Sequence, residues 1–107
     1  MPNNDLPPQI AARVADLTAT FSAPDACAAQ LLCDRHPADR VAYRIVGEGT
    51  PVDLTFGELK ARSERLASGL SKLGYGPGNR IATLMSKGED YLVTLLAVWR
   101  LGAVYVP

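Results

Sequence analysis

The chain has 107 residues, 48% of them apolar, with eleven basic residues against eleven acidic ones and a net charge of +0. That composition belongs to a packed globular class and allows one domain or part of one. The balanced, interspersed charge excludes an electrostatic case for nucleic acid or an anionic membrane, because phosphate binding needs a basic excess or a basic face.

Residues 1–20 read as a flexible N-terminal arm. Pro7-Pro8 is followed by a weakly amphipathic run from Ile10 to Leu17, room for one short helix. The Met1–Asp5 start is polar where a secretory signal would be basic and then apolar, which points to the cytoplasm. Ser22-Ala23-Pro24-Asp25 predicts a helix start: Ser22 can cap, Pro24 fits the first turn, and Asp25 suits the dipole. Ala28, Leu31 and Leu32 would be its buried stripe, and His36-Pro37 would end it. Cys27 and Cys33, six apart, fall on different helix faces, so a disulfide is not expected. With His36 the sole histidine, no metal site is expected either. His36 itself reads as a cation favoured at a helix C-terminus, not as a catalytic base.

Val41–Val46 and Val52–Phe56 alternate around Gly47-Glu48-Gly49-Thr50-Pro51, predicting a β-hairpin. Thr55 and Glu58 then form a capping box opening a helix with Leu59, Leu66, Leu70 and Leu73 on one face. Glu58 with Arg62, and Lys60 with Glu64, stand four apart as ion pairs on its wet side. Gly74 is the expected stop. Gly74-Tyr75-Gly76-Pro77-Gly78 leaves a helix and enters a strand, the reverse of a phosphate loop, so it reads as a turn.

Arg80–Met85 is apolar on both faces, as a central parallel strand would be. Ser86 and Glu89 suggest a second capping box, leading into a helix over about 88–101 that is apolar almost all round, broken by Thr94 and Arg100. A strand over 103–106 follows Gly102. Strand, helix and strand make a right-handed parallel βαβ unit. The longest apolar stretch, Tyr91–Pro107, contains Arg100 and Gly102 and falls short of the ~20 residues a spanning helix needs. The fold class is α/β: a hairpin, a helix and a βαβ unit. Because the last strand finds no later partner in the chain, the expectation is an incomplete domain that self-associates through its open edge and uncovered apolar surface.

Ser86, Lys87 and Gly88 lie where open α/β sheets bind ligands, past a strand's C-terminal end. They lack the G-x-x-x-x-G-K-[ST] signature, so a helix cap outweighs a ligand contact there. No nucleophile–base pair, carboxylate pair or metal-ligand cluster is legible, and no catalytic residue is assigned.

Four segments carry a resemblance. Leu54-Thr55-Phe56-Gly57-Glu58-Leu59, then Ser63-Glu64-Arg65-Leu66-Ala67, resembles the L-T-Y-x-E-L stretch of the adenylate-forming (AMP-binding) ligases, with Phe56 where Tyr is usual. Leu73-Gly74-Tyr75-Gly76-Pro77-Gly78-Asn79-Arg80-Ile81-Ala82 resembles their L-G-v-x-P-G-D-R-V-A segment, with Asn79 in place of Asp. Leu96–Pro107 resembles l-A-x-x-k-x-G-A-x-y-v-P, and the segment from His36-Pro37 to Ala42 resembles h-P-d-r-v-A. The four run in family order over residues 21–107, and Trp99-Arg100 leans towards the acyl-CoA synthetases.

The resemblance implies the N-terminal part of a large ligase domain. Its parent would use ATP and Mg to turn a carboxylate into an acyl-adenylate, then pass the acyl group to coenzyme A, as in fatty acid metabolism. The family's phosphate loop, Mg-linked Glu, ribose-binding Asp and C-terminal Lys all lie downstream of the matched stretch, so none is carried onto a residue here. The isolated chain is expected to bind no cofactor. Two other readings stay open: a piece of an amino-acid-activating adenylation domain, and a free-standing interaction module without catalysis.

Overall fold

A computed structural model describes residues 6–107. The expectations for Met1–Asp5 lie outside the described residues. Helix α1 spans Pro8–Phe21, β1 Val41–Ile45, β2 Val52–Thr55, α2 Phe56–Lys72, β3 Arg80–Ala82, α3 Glu89–Arg100 and β4 Val104–Val106, with a π-helical segment at Gln30–Asp34.

The arm expected over residues 1–20 carries a helix of 14 residues, with proline in its first turn and none of its residues buried. Ser22 does not start the next helix. Its N–H donates to Thr18 O at 2.9 Å as the last rung of α1, so it closes a helix. Helical winding resumes at Ala28, and Arg35 N–H reaches back five residues to Gln30 O at 3.1 Å. The later start and wider winding turn Ala29 and Cys33 into the core, in place of the expected Ala28 and Leu32, which are exposed. Cys27 and Cys33 are free thiols.

The hairpin forms as expected, β1 antiparallel to β2, with an irregularity between Val41 and Tyr43. Thr55 caps α2: its Oγ1 accepts from Glu58 N–H at 3.2 Å, and Glu58 Oε2 accepts from Thr55 N–H at 3.0 Å. That bond occupies the Glu58 carboxylate, and the expected Glu58–Arg62 pair is absent from the ion pairs of the described residues. Arg62 instead reaches α3, donating to Glu89 at 3.1 Å and Asp90 at 3.0 Å. Lys60 and Glu64 do pair, at 3.9 Å. Of the expected α2 stripe, Leu59 is buried, Leu66 and Leu70 are half-buried, and Leu73 is exposed at the helix end.

Gly74 stops α2 with φ +97°, and Tyr75 N–H closes the end on Leu70 O at 3.1 Å. Asn79 Oδ1 accepts from Gly76 N–H at 2.7 Å and fixes the turn into β3. An Asp at that position would offer the same acceptor, which accounts physically for the tolerance of Asn there.

β3 and β4 pair in parallel, Arg80 opposite Val104 and Ala82 opposite Val106, with α3 as the crossover. The strand expected over 80–85 stops at Ala82. The last rung is Thr83 N–H to Val106 O at 3.0 Å, and past it Leu84 is fully exposed. The Ser86 capping box does not form. The N-cap is Gly88, without a side-chain bond, so Glu89 sits at N1 instead of N3 and is held by Arg62. The core joins Ala29 and Cys33 to Leu54, Leu59, Val93 and Leu96, with Phe56, Leu92 and Trp99 packed against it. No helix among the described residues is long and apolar enough to cross a membrane.

Candidate functional site

The loop after β3 lies at the C-terminal edge of the parallel pair. Thr83 Oγ1 and the Tyr105 hydroxyl meet at 2.8 Å there, and the Tyr91 ring stands edge-on to Tyr105, centroids 6.1 Å apart. Lys87 and Gly88 line a cleft of about 340 Å³ between the start of α3 and strand β1. Its other walls are Tyr43, Arg44, Ile45 and Val46 from the hairpin and Tyr91 and Leu92 from α3. Ser86 is exposed and does not line it. The structure thus brings two of the three candidate residues together and leaves the third outside.

Charge in the cleft is simple. Arg44 holds Asp53 through bonds of 2.6 and 2.9 Å, which neutralises both and holds the Asp53 carboxyl below the usual range. The first-turn acids Glu89 and Asp90 are engaged by Arg62. Of the charged side chains that line the cleft, Arg44 is engaged by Asp53, and Lys87 forms no ion pair among the described residues.

A second polar cluster was only half visible in the sequence. Arg100, one of the two polar breaks in an apolar helix, donates to both Asp34 oxygens at 2.5 and 2.7 Å and to Ser63 Oγ at 2.8 Å. Ser63 Oγ in turn donates to Lys60 O at 3.0 Å. The Arg100 hydrogen bonds hold the Asp34 carboxyl below its ordinary range. Burial, with the Asp34 charge beside it, pushes the Cys33 thiol up to about 11. A thiol so shifted is protonated at neutral pH and inert as a nucleophile. This cluster locks three segments together and presents no reactive group. His36 stacks on Phe56 with centroids 4.5 Å apart. No group of three or more metal-ligating side chains occurs among the described residues.

A hairpin feeding a capped helix and then a parallel strand–helix–strand unit defines the class: an α/β scaffold of the kind that opens the N-terminal domain of adenylate-forming ligases. The AMP-binding enzyme family matches residues 30–107, and the chain belongs to that family. It is similar to the N-(5-amino-5-carboxypentanoyl)-L-cysteinyl-D-valine synthase of Penicillium rubens, 44% identical over 55 residues, 51% of this chain and 2% of that protein. It is also similar to a feruloyl-CoA synthase of an Amycolatopsis species, 48% identical over 54 residues, 50% of this chain and 11% of that one. The Brucella canis acyl-CoA synthetase superposes with a TM-score of 0.76 at 33% identity, over 86% of this chain and 18% of that chain. The chain therefore spans only a small part of the length of the relatives it matches.

Proposed function

We propose that residues 21–107 are the N-terminal scaffold of an acyl-CoA synthetase-like ligase, with residues 1–20 as an arm. The parent activates a carboxylate with ATP and Mg to an acyl-adenylate and transfers the acyl group to coenzyme A. The observation that carries this reading is the superposition on the Brucella canis acyl-CoA synthetase across 86% of the chain. The feruloyl-CoA synthase likeness supports it. The 107 residues have no catalytic role of their own: the Arg100 cluster and the capped α2 are structural, and Ser86, Lys87 and Gly88 serve the loop that starts α3. A fatty acid as the carboxylate and a cytoplasmic setting complete the proposal, the latter supported by the free Cys27 and Cys33 thiols.

The second reading is an amino-acid-activating adenylation domain, favoured by the 44% identity to the Penicillium synthase. Two assays decide. Carboxylate-dependent ATP–pyrophosphate exchange on the 107-residue chain is expected to equal a protein-free blank, because the scaffold reading puts the phosphate loop and catalytic Lys that position ATP outside these residues. Exchange above the blank would overturn the scaffold reading. For the parent, coenzyme A-dependent release of AMP supports the synthetase, and transfer to a carrier-protein thiol supports the adenylation domain.

A further inference from the structure

Helix α1 carries an apolar stripe that nothing among the described residues covers. Ile10, Val14, Leu17 and Phe21 recur at spacings of four, three and four, the seam of a two-stranded coiled coil. At about 100° per residue the four fall within an arc of about 60° on one face. Each is 40–55% exposed, and no residue of α1 is buried. The helix precedes residues 30–107, the part that the family matches.

A bare apolar stripe does not choose its cover, but the charges beside it do. The charged residues of α1 are Arg13 and Asp16, and both lie on the same flank of the seam, about 70° and about 130° from its centre. Neither forms an ion pair among the described residues. Thr20 Oγ1 donates to Asp16 O at 2.9 Å, a backbone acceptor, and leaves the Asp16 carboxylate free. The other flank, Ala11, Ala15 and Thr18, is small and uncharged. In a parallel pair the charged flank of one helix faces the uncharged flank of the other, and both charges go unmatched. In an antiparallel pair, about a two-fold axis between residues 15 and 16, like flanks face each other in reverse order. Ile10 then meets Phe21 of the second copy, and Val14 meets Leu17. Arg13 lies about 3 Å along the axis from Asp16 of the second copy, and the symmetry makes that pair twice. The same neutral helix offers an anionic bilayer no basic face.

We propose that α1 pairs antiparallel with α1 of a second copy, packed through Ile10, Val14, Leu17 and Phe21 and set in register by two Arg13–Asp16 pairs. The inference rests on α1 alone and holds for a synthetase or an adenylation-domain parent. A helix of 14 residues is about 21 Å long, so the contact is small and the dimer weak.

Sedimentation equilibrium of the 107-residue chain over about a hundredfold range of concentration is the first test. A monomer–dimer equilibrium is expected, and Leu17→Glu should weaken it about tenfold or more by placing a charge in the seam. Charge reversal leaves the seam intact. Arg13→Asp and Asp16→Arg should each weaken self-association about threefold or more, and an equimolar mixture of the two variants should return to within about twofold of wild type. Cross-linking reads the direction. With Cys27→Ser throughout, Ala11→Cys chains mixed with Thr18→Cys chains and treated with a short bis-maleimide should give the mixed product in excess of either homodimer. Cys33 is buried with its thiol protonated, and stays silent. A chain monomeric throughout, association untouched by Leu17→Glu, or reversals without effect or without recovery on mixing would each overturn the proposal. So would an Ala11–Ala11 product as abundant as the mixed one, which would make the pair parallel. Binding of the wild type, but not of Leu17→Glu, to phosphatidylcholine vesicles would assign the stripe to lipid and overturn it too.

Discussion

Arg100 and Asp34, 66 residues apart in sequence, face each other through two hydrogen bonds of 2.5 and 2.7 Å, one from each terminal guanidinium nitrogen to each carboxylate oxygen. This bidentate pair ties the end of α3 to the π-helical segment, and the third bond, to Ser63, adds α2. Both side chains are mostly shielded, at 12% and 18% exposure. Removing one partner therefore strands a charge in a poorly hydrated place.

Arg100→Leu is expected to destabilise the chain by about 3 kcal/mol, the usual cost of orphaning one member of a shielded pair. Adding Asp34→Leu should recover more than half of that loss, because no unpaired charge remains. Urea unfolding of the two single variants and the double variant measures the coupling. The pH dependence has a definite sign. Asp34 titrates below its ordinary value of 3.8 when folded, so its contribution is present above about pH 4 and lost as the pH falls through the folded value. Wild type and Arg100→Leu should converge in stability below that range. A gap that persists to the lowest pH would show that the loss comes from packing.

Cys33 gives the opposite slope at the alkaline end. Its thiol titrates at about 11 instead of 9.0, mainly because burial disfavours the thiolate. Folding stability from this group is complete below about pH 9 and disappears as the pH rises through 11. The full effect is on the order of 3 kcal/mol. Cys33→Ser has no group titrating there, so the difference between wild type and variant should shrink between pH 9 and 11. Chemical denaturation at four pH values across that window is the measurement. A constant difference would mean that Cys33 ionises no less readily in the folded chain.

Features resting on short-range chemistry were legible in the sequence. Thr55 and Glu58 are three residues apart, and their reciprocal bonds need nothing from the rest of the chain. Gly74 at φ +97° and the parallel β3–α3–β4 unit follow from equally local signals. The misses share a different cause. Ser86 and Glu89 have the right spacing for a capping box, yet α3 begins one residue after Gly88, and spacing alone does not fix where a helix begins. β3 could not be given its length from its own residues, because a strand persists only as far as its partner. The Arg100 cluster joins residues 34, 63 and 100, and no periodicity relates them. Of the candidate residues, Lys87 and Gly88 could be placed at a sheet edge from the strand–helix order. The opposite wall of their cleft, Tyr43 to Val46 of the hairpin, required the fold.

Two glycines in α2 should respond in opposite directions. A Cβ on Gly57 would lie 3.0 Å from Ala38 O and 3.1 Å from Ala38 Cβ, in a place where Gly57 N–H also donates to Ala38 O at 2.9 Å. Gly57→Val adds further atoms to that contact and should cost about 1–3 kcal/mol through overpacking. A Cβ on Gly69 meets nothing within 4 Å. Gly69→Ala should stabilise by about 0.5–1 kcal/mol, because alanine has less backbone freedom to lose in a helix interior. Urea midpoints at constant slope decide both. A stabilising Gly57→Val would mean that the α2 start does not hold the Ala38 turn in solution.

Lys87 tests whether the loop after β3 takes part in the proposed ligase chemistry. Were Lys87 a phosphate ligand for ATP or coenzyme A in the full-length parent, its charged hydrogen bond would be worth roughly 1.5–3 kcal/mol. Removing such a contact lowers affinity by about ten- to a hundredfold. Its position argues otherwise. The side chain is exposed on a cleft that is otherwise apolar or neutralised, and the acids after it are engaged by Arg62. Lys87→Ala in the parent is therefore expected to change the KM for ATP and for coenzyme A by less than about threefold, under ~0.7 kcal/mol. Steady-state kinetics with each substrate varied at saturating levels of the other measures this. A tenfold rise in either KM would place the loop after β3 within reach of that substrate, and the scaffold assignment for Ser86, Lys87 and Gly88 would fall.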